Sequence, residues 1–371
     1  MTTPAAGAPT LPPDRPAGWI VLTASQRGAA HVAVQTQNQD SVAVERAGTA
    51  GVVAAVADGH GHSRHLRSAR GSRLAVSIGC RVGQELADQL GQADDADDAD
   101  PASRITGLLR SFLVPAVVQR WREAVLADVA ADPFTDAEEG KRRSGDEPVV
   151  AYGSTLLLCI ALGDWLVLAQ IGDGDVVGVR LDGTPTLPIP ADPQLDGLVT
   201  TSLCGPDAGG DFRIAVLNLT QAPLLAVLLA TDGYGNAQVE QEWPSSFSKD
   251  LAWLLTRRDM RWLASQLPAW AARCASADGS ADDTTIALLV APAGQMAQGE
   301  VPPGRTDDPS AVPPDAGSEE ITIPAEIRTD TVPTAQRAAS RAEQAAVQTG
   351  VAEQFTTDRE PPGSSAGSGV R

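Results

Sequence analysis

Short unbroken apolar runs, Gly51–Ala57, Thr155–Ala161, Trp165–Ile171, Leu224–Ala230 and Thr284–Val290, recur along the chain between polar segments rich in Gly and Asp. They are too short and too rich in β-branched residues for helices, so they predict strands. Weaker strand patterns begin at Trp19 and cover Val32–Val34, Ser41–Val44, Asp175–Arg180 and Phe212–Leu217. Leu162-Gly163-Asp164 joins two of the runs as a hairpin turn. Helical periodicity takes over elsewhere. Ala69, Leu74, Ile78, Val82, Leu86 and Leu90 share one face of a helix after Asp58. A second helix runs from Ser103, read as its N-cap, through Ile105, Leu109, Phe112, Val117 and Trp121, with a kink expected at Pro115. Two more cover Lys249–Leu255 and Met260–Cys274. Many strands, paired helices and hairpin connections predict an α+β layered domain.

The ends change character. Residues 1–17 are rich in Pro, Ala and Thr, and residues 293–371 in Pro, Gly, Ala, Ser and Glu, so both are expected to be disordered, flanking a domain at 18–292. Residues 132–148 form a polar surface connection. The acidic run Asp94 to Asp100 invites a calcium loop, but a template started at Asp95 meets Ala99 at its fifth position and Thr106 where Glu belongs. A solvated loop is expected there.

With 371 residues, 43% of them hydrophobic, the chain can bury one large core. A formal net charge of −19 argues against nucleic acid as a partner. Cys80, Cys159, Cys204 and Cys274 form no C-x-x-C pair and read as small buried apolar residues. No run is long enough for a membrane span, and Met1 to Asp14 lacks a basic start and an apolar core, so a cytoplasmic location is expected.

Aspartates stand at the ends of the strand-like runs: Asn38-Gln39-Asp40, Asp58-Gly59-His60-Gly61, Gly172-Asp173-Gly174, Thr231-Asp232-Gly233 and Asp282-Asp283-Thr284. A strand aims the carboxylate, an adjoining Gly lets backbone approach an ion, and several hard oxygen donors select Mg²⁺ or Mn²⁺ over Zn²⁺. A single Asp-Gly is most often only a turn, so it is the ordered repetition that points to a metal site. Clustered carboxylates raise one another's pKa unless a cation neutralises them.

These motifs, with Gly153-Ser154-Thr155 and in this order over residues 18–292, resemble those of the PP2C-like (PPM) metal-dependent Ser/Thr protein phosphatases. The resemblance implies a four-layer sandwich, two antiparallel sheets face to face and flanked by helices, with a flap at about 182–211. It implies two core Mn²⁺ or Mg²⁺ ions bridged by Asp58, with the Gly59 carbonyl, Asp232 and Asp282 as further ligands. Asp40 would hold metal-bound waters, and Asp173 with Asp232 would serve a third ion. His60 would protonate the leaving alkoxide, a role suited to a pKa near 6.5. The implied partners are a phosphorylated protein and a cognate Ser/Thr kinase, hence a part in signalling.

One position departs from the pattern. Family members commonly carry an Arg five residues before the first Asp to clamp phosphate, and here that residue is Gln35, which offers no charged fork. His31, Arg64 and Arg67 are the candidates to supply the missing charge at substrate. The departure also keeps open a catalytically weak phosphoprotein-binding module. A third reading, the zinc motif H-x-H-x-D-H of metallo-β-lactamase-like hydrolases, is approached by His60 to His65 but fails at Arg64 and at the lack of a later histidine. Ser154 lacks the flanks of a nucleophile elbow and is read as starting a strand.

Overall fold

Each continuous apolar run becomes a strand buried on both sides, and among the described residues ten strands pair into two antiparallel sheets. The computed structural model describes residues 18–48, 51–92, 100–190, 192, 200–239 and 242–292. The expected leader at 1–17, the tail at 293–371 and Asp94 to Ala99 of the acidic run lie outside the described residues.

The first sheet has the order β1 (Ile20–Gln26), β10 (Thr284–Val290), β9 (Leu224–Ala230), β6 (Asp175–Arg180), β7 (Pro185–Thr186). The second has the order β2 (Ser41–Ala47), β3 (Gly51–Ala57), β4 (Leu156–Leu162), β5 (Trp165–Ile171), β8 (Arg213–Asn218). The Leu162↔Trp165 pair closes the predicted hairpin. Alternate residues of one strand serve different cores. Val52, Ala54 and Val56 of β3 face Val227, Leu229, Ala287 and Leu289 between the sheets. Val53 and Ala55 turn outward to α2 (Ser68–Gln92) and α4 (Val114–Ala131), where Ile78, Val82, Leu86 and Trp121 cover them. On the other side α7 (Trp243–Arg257) and α8 (Met260–Cys274) cover Leu228, Ile286 and Leu288. The four-layer sandwich expected from the resemblance is thus the observed fold.

Three local expectations are corrected. Val32–Val34 does not form a strand: Ala29–Ala33 is a one-turn helix, α1. Its first N–H groups find acceptors supplied from far away in sequence, Ala29 donating to Ala275 O at 2.8 Å and Ala30 to Ala281 O at 2.9 Å. The helix expected from Ser103 instead begins as α3 (Pro101–Leu108), capped by Asp100, whose carboxylate accepts the Ser103 N–H at 3.1 Å. The irregularity expected at Pro115 is a π-turn over Leu109–Leu113, in the turn whose carbonyl loses a donor because proline has no N–H. No helix among the described residues is long and apolar enough to cross a membrane.

Candidate active site

The motif aspartates sit where strands end. Asp58 follows β3, Asp40 precedes β2, Asp173 lies between β5 and β6, Asp282 precedes β10, and Asp232 opens the single turn α6 (Asp232–Gly235) after β9. Because the two sheets stack, these strand ends meet. Each of Asp58 and Asp232 feels the charge of Asp40, Asp173 and Asp282.

Hydrogen bonds fix the frame around them. Asp58 N–H donates to Thr155 Oγ1 at 2.9 Å, and Thr155 N–H returns to Asp58 O at 2.8 Å. Gly59 packs so closely that a Cβ there would lie 2.7 Å from Gln39 O and Ser68 O, which explains the glycine at this position. Gly172 takes φ +102°, a conformation reserved for glycine, just before Asp173. Thr231 Oγ1 donates to Asp40 Oδ2 at 2.8 Å and accepts the Thr285 N–H at 2.9 Å, joining β9, β10 and the Asn38–Asp40 loop.

Burial, then the charges of Asp40, Asp232, Asp282 and Asp173, push the Asp58 carboxyl well above its ordinary range. Burial, then the charges of Asp173, Asp282, Asp40 and Asp175, raise Asp232, and burial raises Asp40 to about 7. Asp175, read from the sequence only as the start of a strand, is lifted to about 7 by burial and by Asp173. Asp40 Oδ1 is buried and has no protein partner. A set of hard oxygen donors that repel one another, one with an orphaned oxygen, fits divalent cations in kind and in charge. Among the described residues no group of three or more His, Cys, Asp or Glu side chains is drawn in closely enough to hold an ion.

The candidates for the missing positive charge are otherwise engaged. Arg67, expected at the substrate, is buried, and all five of its N–H groups are used: Glu138 Oε1 and Oε2, the Tyr152 hydroxyl and the Asp132 and Pro133 carbonyls accept them. It is a structural residue. Arg64 makes a two-pronged contact with Asp146, Nε at 3.2 Å and Nη2 at 2.9 Å. His31 Nδ1 stands 2.9 Å from Asp283 Oδ2, and that carboxylate raises the pKa of the ring. Gln35 is exposed and left-handed, with φ +58°.

His60 also differs from expectation. Its Nε2 lies 2.7 Å from Ser202 Oγ, and burial, with His65 beside it, lowers its pKa to about 3. The ring is therefore neutral in this structure rather than half-protonated near pH 6.5. Asp283, taken from the sequence only as a supporting neighbour of Asp282, accepts backbone N–H groups from Gly28 at 2.7 Å and Gln39 at 2.6 Å. The doubled Asp was the only signal of it.

The model of the family described as protein phosphatase 2C matches residues 27–270. The chain belongs to the protein phosphatase 2C family. As a member it is by class a serine/threonine protein phosphatase, with phosphoproteins as its substrates. The chain is similar to solved structures of PppA, a key regulatory component of T6SS in Pseudomonas aeruginosa (20% identity, 74% of this chain and 98% of that one, TM-score 0.44). It is also similar to Stp1 from Staphylococcus aureus (15%, 73% and 94%, 0.46) and to the PstP catalytic domain in complex with two manganese ions (18%, 73% and 97%, 0.39). No curated protein matches. At these identities the assignment rests on the family match.

Proposed function

We propose that this phosphatase hydrolyses phosphoserine and phosphothreonine in proteins by direct attack of water, using two Mn²⁺ or Mg²⁺ ions held by Asp58, the Gly59 carbonyl, Asp232 and Asp282. A third ion between Asp173 and Asp232 belongs to the same reading. The observation that carries it is the shared load on Asp58 and Asp232, two carboxyls that burial and the charges of Asp40, Asp173 and Asp282 raise well above their ordinary range. An arrangement so costly to fold without a counter-charge makes sense around a cation. Bound ions would supply positive charge to the phosphoryl oxygens and acidify the attacking water.

The chain's own groups have separate tasks. Asp40 offers the unpartnered Oδ1 as an acceptor for a water proton while Thr231 holds Oδ2. His60, two residues after Asp58, is the group to pass a proton to the leaving alkoxide, which from a neutral ring requires that it first receive one. A phosphoprotein substrate implies a Ser/Thr kinase acting on the same protein. We assign the phosphatase domain to residues 18–292, which contain all three apolar clusters of the described residues.

The deciding experiment is phosphate release from an aryl phosphate and from a phosphothreonine peptide, with and without Mn²⁺. Activity is expected only with the ion, and Asp58→Ala and Asp232→Ala should abolish it while leaving circular dichroism unchanged. Full turnover by Asp232→Ala after chelation would overturn the proposal.

A further inference from the structure

Residues 200–204, within the flap region, are fastened to three of the motif loops at once. Thr201 Oγ1 accepts the Gly172 N–H at 2.9 Å, beside Asp173. Leu203 N–H donates to Ser154 O at 3.0 Å. Ser202, buried between them, places its Oγ 2.7 Å from His60 Nε2 and 3.2 Å from Ser154 O. Cys204 Sγ lies 3.3 Å from the same hydroxyl.

A serine hydroxyl has one proton, and a carbonyl oxygen can only accept. When Ser202 gives its proton to Ser154 O, the His60 contact takes its proton from Nε2, and both of these approaches carry a hydrogen. In the reverse arrangement the Ser202 and Ser154 oxygens face one another at 3.2 Å with no proton between them. The neighbouring rings are fixed in the same way. His65 Nδ1–H donates to Val150 O at 2.6 Å, and His62 Nδ1 accepts the Arg64 N–H at 3.1 Å.

We propose that Ser202 is a positioning residue: it holds His60 as the Nε2–H tautomer, leaving Nδ1 as the ring's free lone pair, and so ties the flap to the Asp58-Gly59-His60 loop. Its kinetic consequence rests on the phosphatase reading above; the tautomer does not. Ser202 acts through His60 and need not touch substrate.

Four histidines make the test direct. Full-length protein carrying ¹⁵N-histidine, in Mg²⁺ buffer, is examined by long-range ¹H–¹⁵N correlation, with His60→Asn identifying the His60 signals. The expected pattern is Nε2–H at His60 and His62 and Nδ1–H at His65. Ser202→Ala should move His60 toward a mixture of tautomers, and Ser202→Thr, which keeps the hydroxyl, should retain the wild-type pattern. On an aryl phosphate, Ser202→Ala should lower kcat about tenfold with KM little changed, and Ser202→Thr should recover most of it. A wild-type His60 carrying Nδ1–H, or an unchanged tautomer ratio in Ser202→Ala, overturns the proposal. Should Ser202→Ala fail to fold, Ser202→Cys replaces it with the same two outcomes. Wild-type protein that hydrolyses nothing would sink the phosphatase reading while the spectrum still decides the tautomer.

Discussion

Asp283 Oδ2 accepts the backbone N–H of Gln39 at 2.6 Å, closing a loop of chain that begins before β2 and ends at the foot of β10. Its other oxygen takes the Gly28 N–H, so one carboxylate holds both ends of the segment that carries α1, Gln35 and Asn38. Asp283→Ala leaves both donors without an acceptor, a loss of about 2–6 kcal/mol at about 1–3 kcal/mol per unpaired buried group. Asp283→Asn keeps one acceptor and should cost less. Urea unfolding measures both, and an Asp283→Ala midpoint equal to wild type would dismiss the anchoring role.

Metal removal should reverse the usual sign of a mutation. In chelator the Asp58 and Asp232 charges oppose folding, so Asp58→Asn should raise Tm relative to wild type. Added Mn²⁺ should raise the Tm of wild type and leave the Asp58→Asn chain unmoved. Thermal scans with EDTA and with Mn²⁺ check this. A Mn²⁺ response of wild-type size in Asp58→Asn would remove Asp58 from the ion site.

The Arg67–Glu138 pair predicts a separate acid dependence. Arg67 chiefly, with the Thr135 N–H, lowers the Glu138 carboxyl to about 2, below its unfolded value of about 4.3. A depressed carboxyl stabilises fully above the unfolded pKa and loses that contribution as pH falls through the folded one. Wild type should therefore lose stability between about pH 4.3 and 2 more steeply than Glu138→Gln. Arg67→Lys cannot fill five acceptors and should destabilise the fold, yet leave KM for an aryl phosphate unchanged. A large rise in KM without loss of stability would return Arg67 to the substrate.

Gln35 occupies a left-handed backbone position, which costs a non-glycine residue about 1–2 kcal/mol. After the entropy that glycine adds to the unfolded chain, Gln35→Gly should gain up to about 1 kcal/mol in chemical denaturation. Gln35→Arg suffers the same strain as the native residue, so its effect on KM can be read cleanly. A fall of about three- to thirty-fold is expected if a guanidinium at this position clamps phosphate, about 0.7–2 kcal/mol of binding. An unchanged KM would mean that phosphate is held without this position.

The strands, the hairpin at Gly163 and the placing of Asp58, Asp232 and Asp282 at strand ends were legible in the sequence, because an apolar run broken by Asp-Gly states its own structure within a few residues. The resemblance of those motifs carried the sandwich as well. What the sequence left open or misread depended on partners distant along the chain. Val32–Val34 has β-branched character, yet acceptors on Ala275 and Ala281 hold the start of a helical turn, Ala29–Ala33, that takes in its first two residues. Arg67 was a candidate for the missing charge at substrate, and its engagement by Glu138 and Tyr152 could not be read from the sequence. The neutrality of His60, its contact with Ser202 and the anchoring by Asp283 likewise follow from how the two sheets and their loops stack. Local propensity acts over one turn of chain; burial, charge and hydrogen-bond partnership are decided by which residues the packed core brings together.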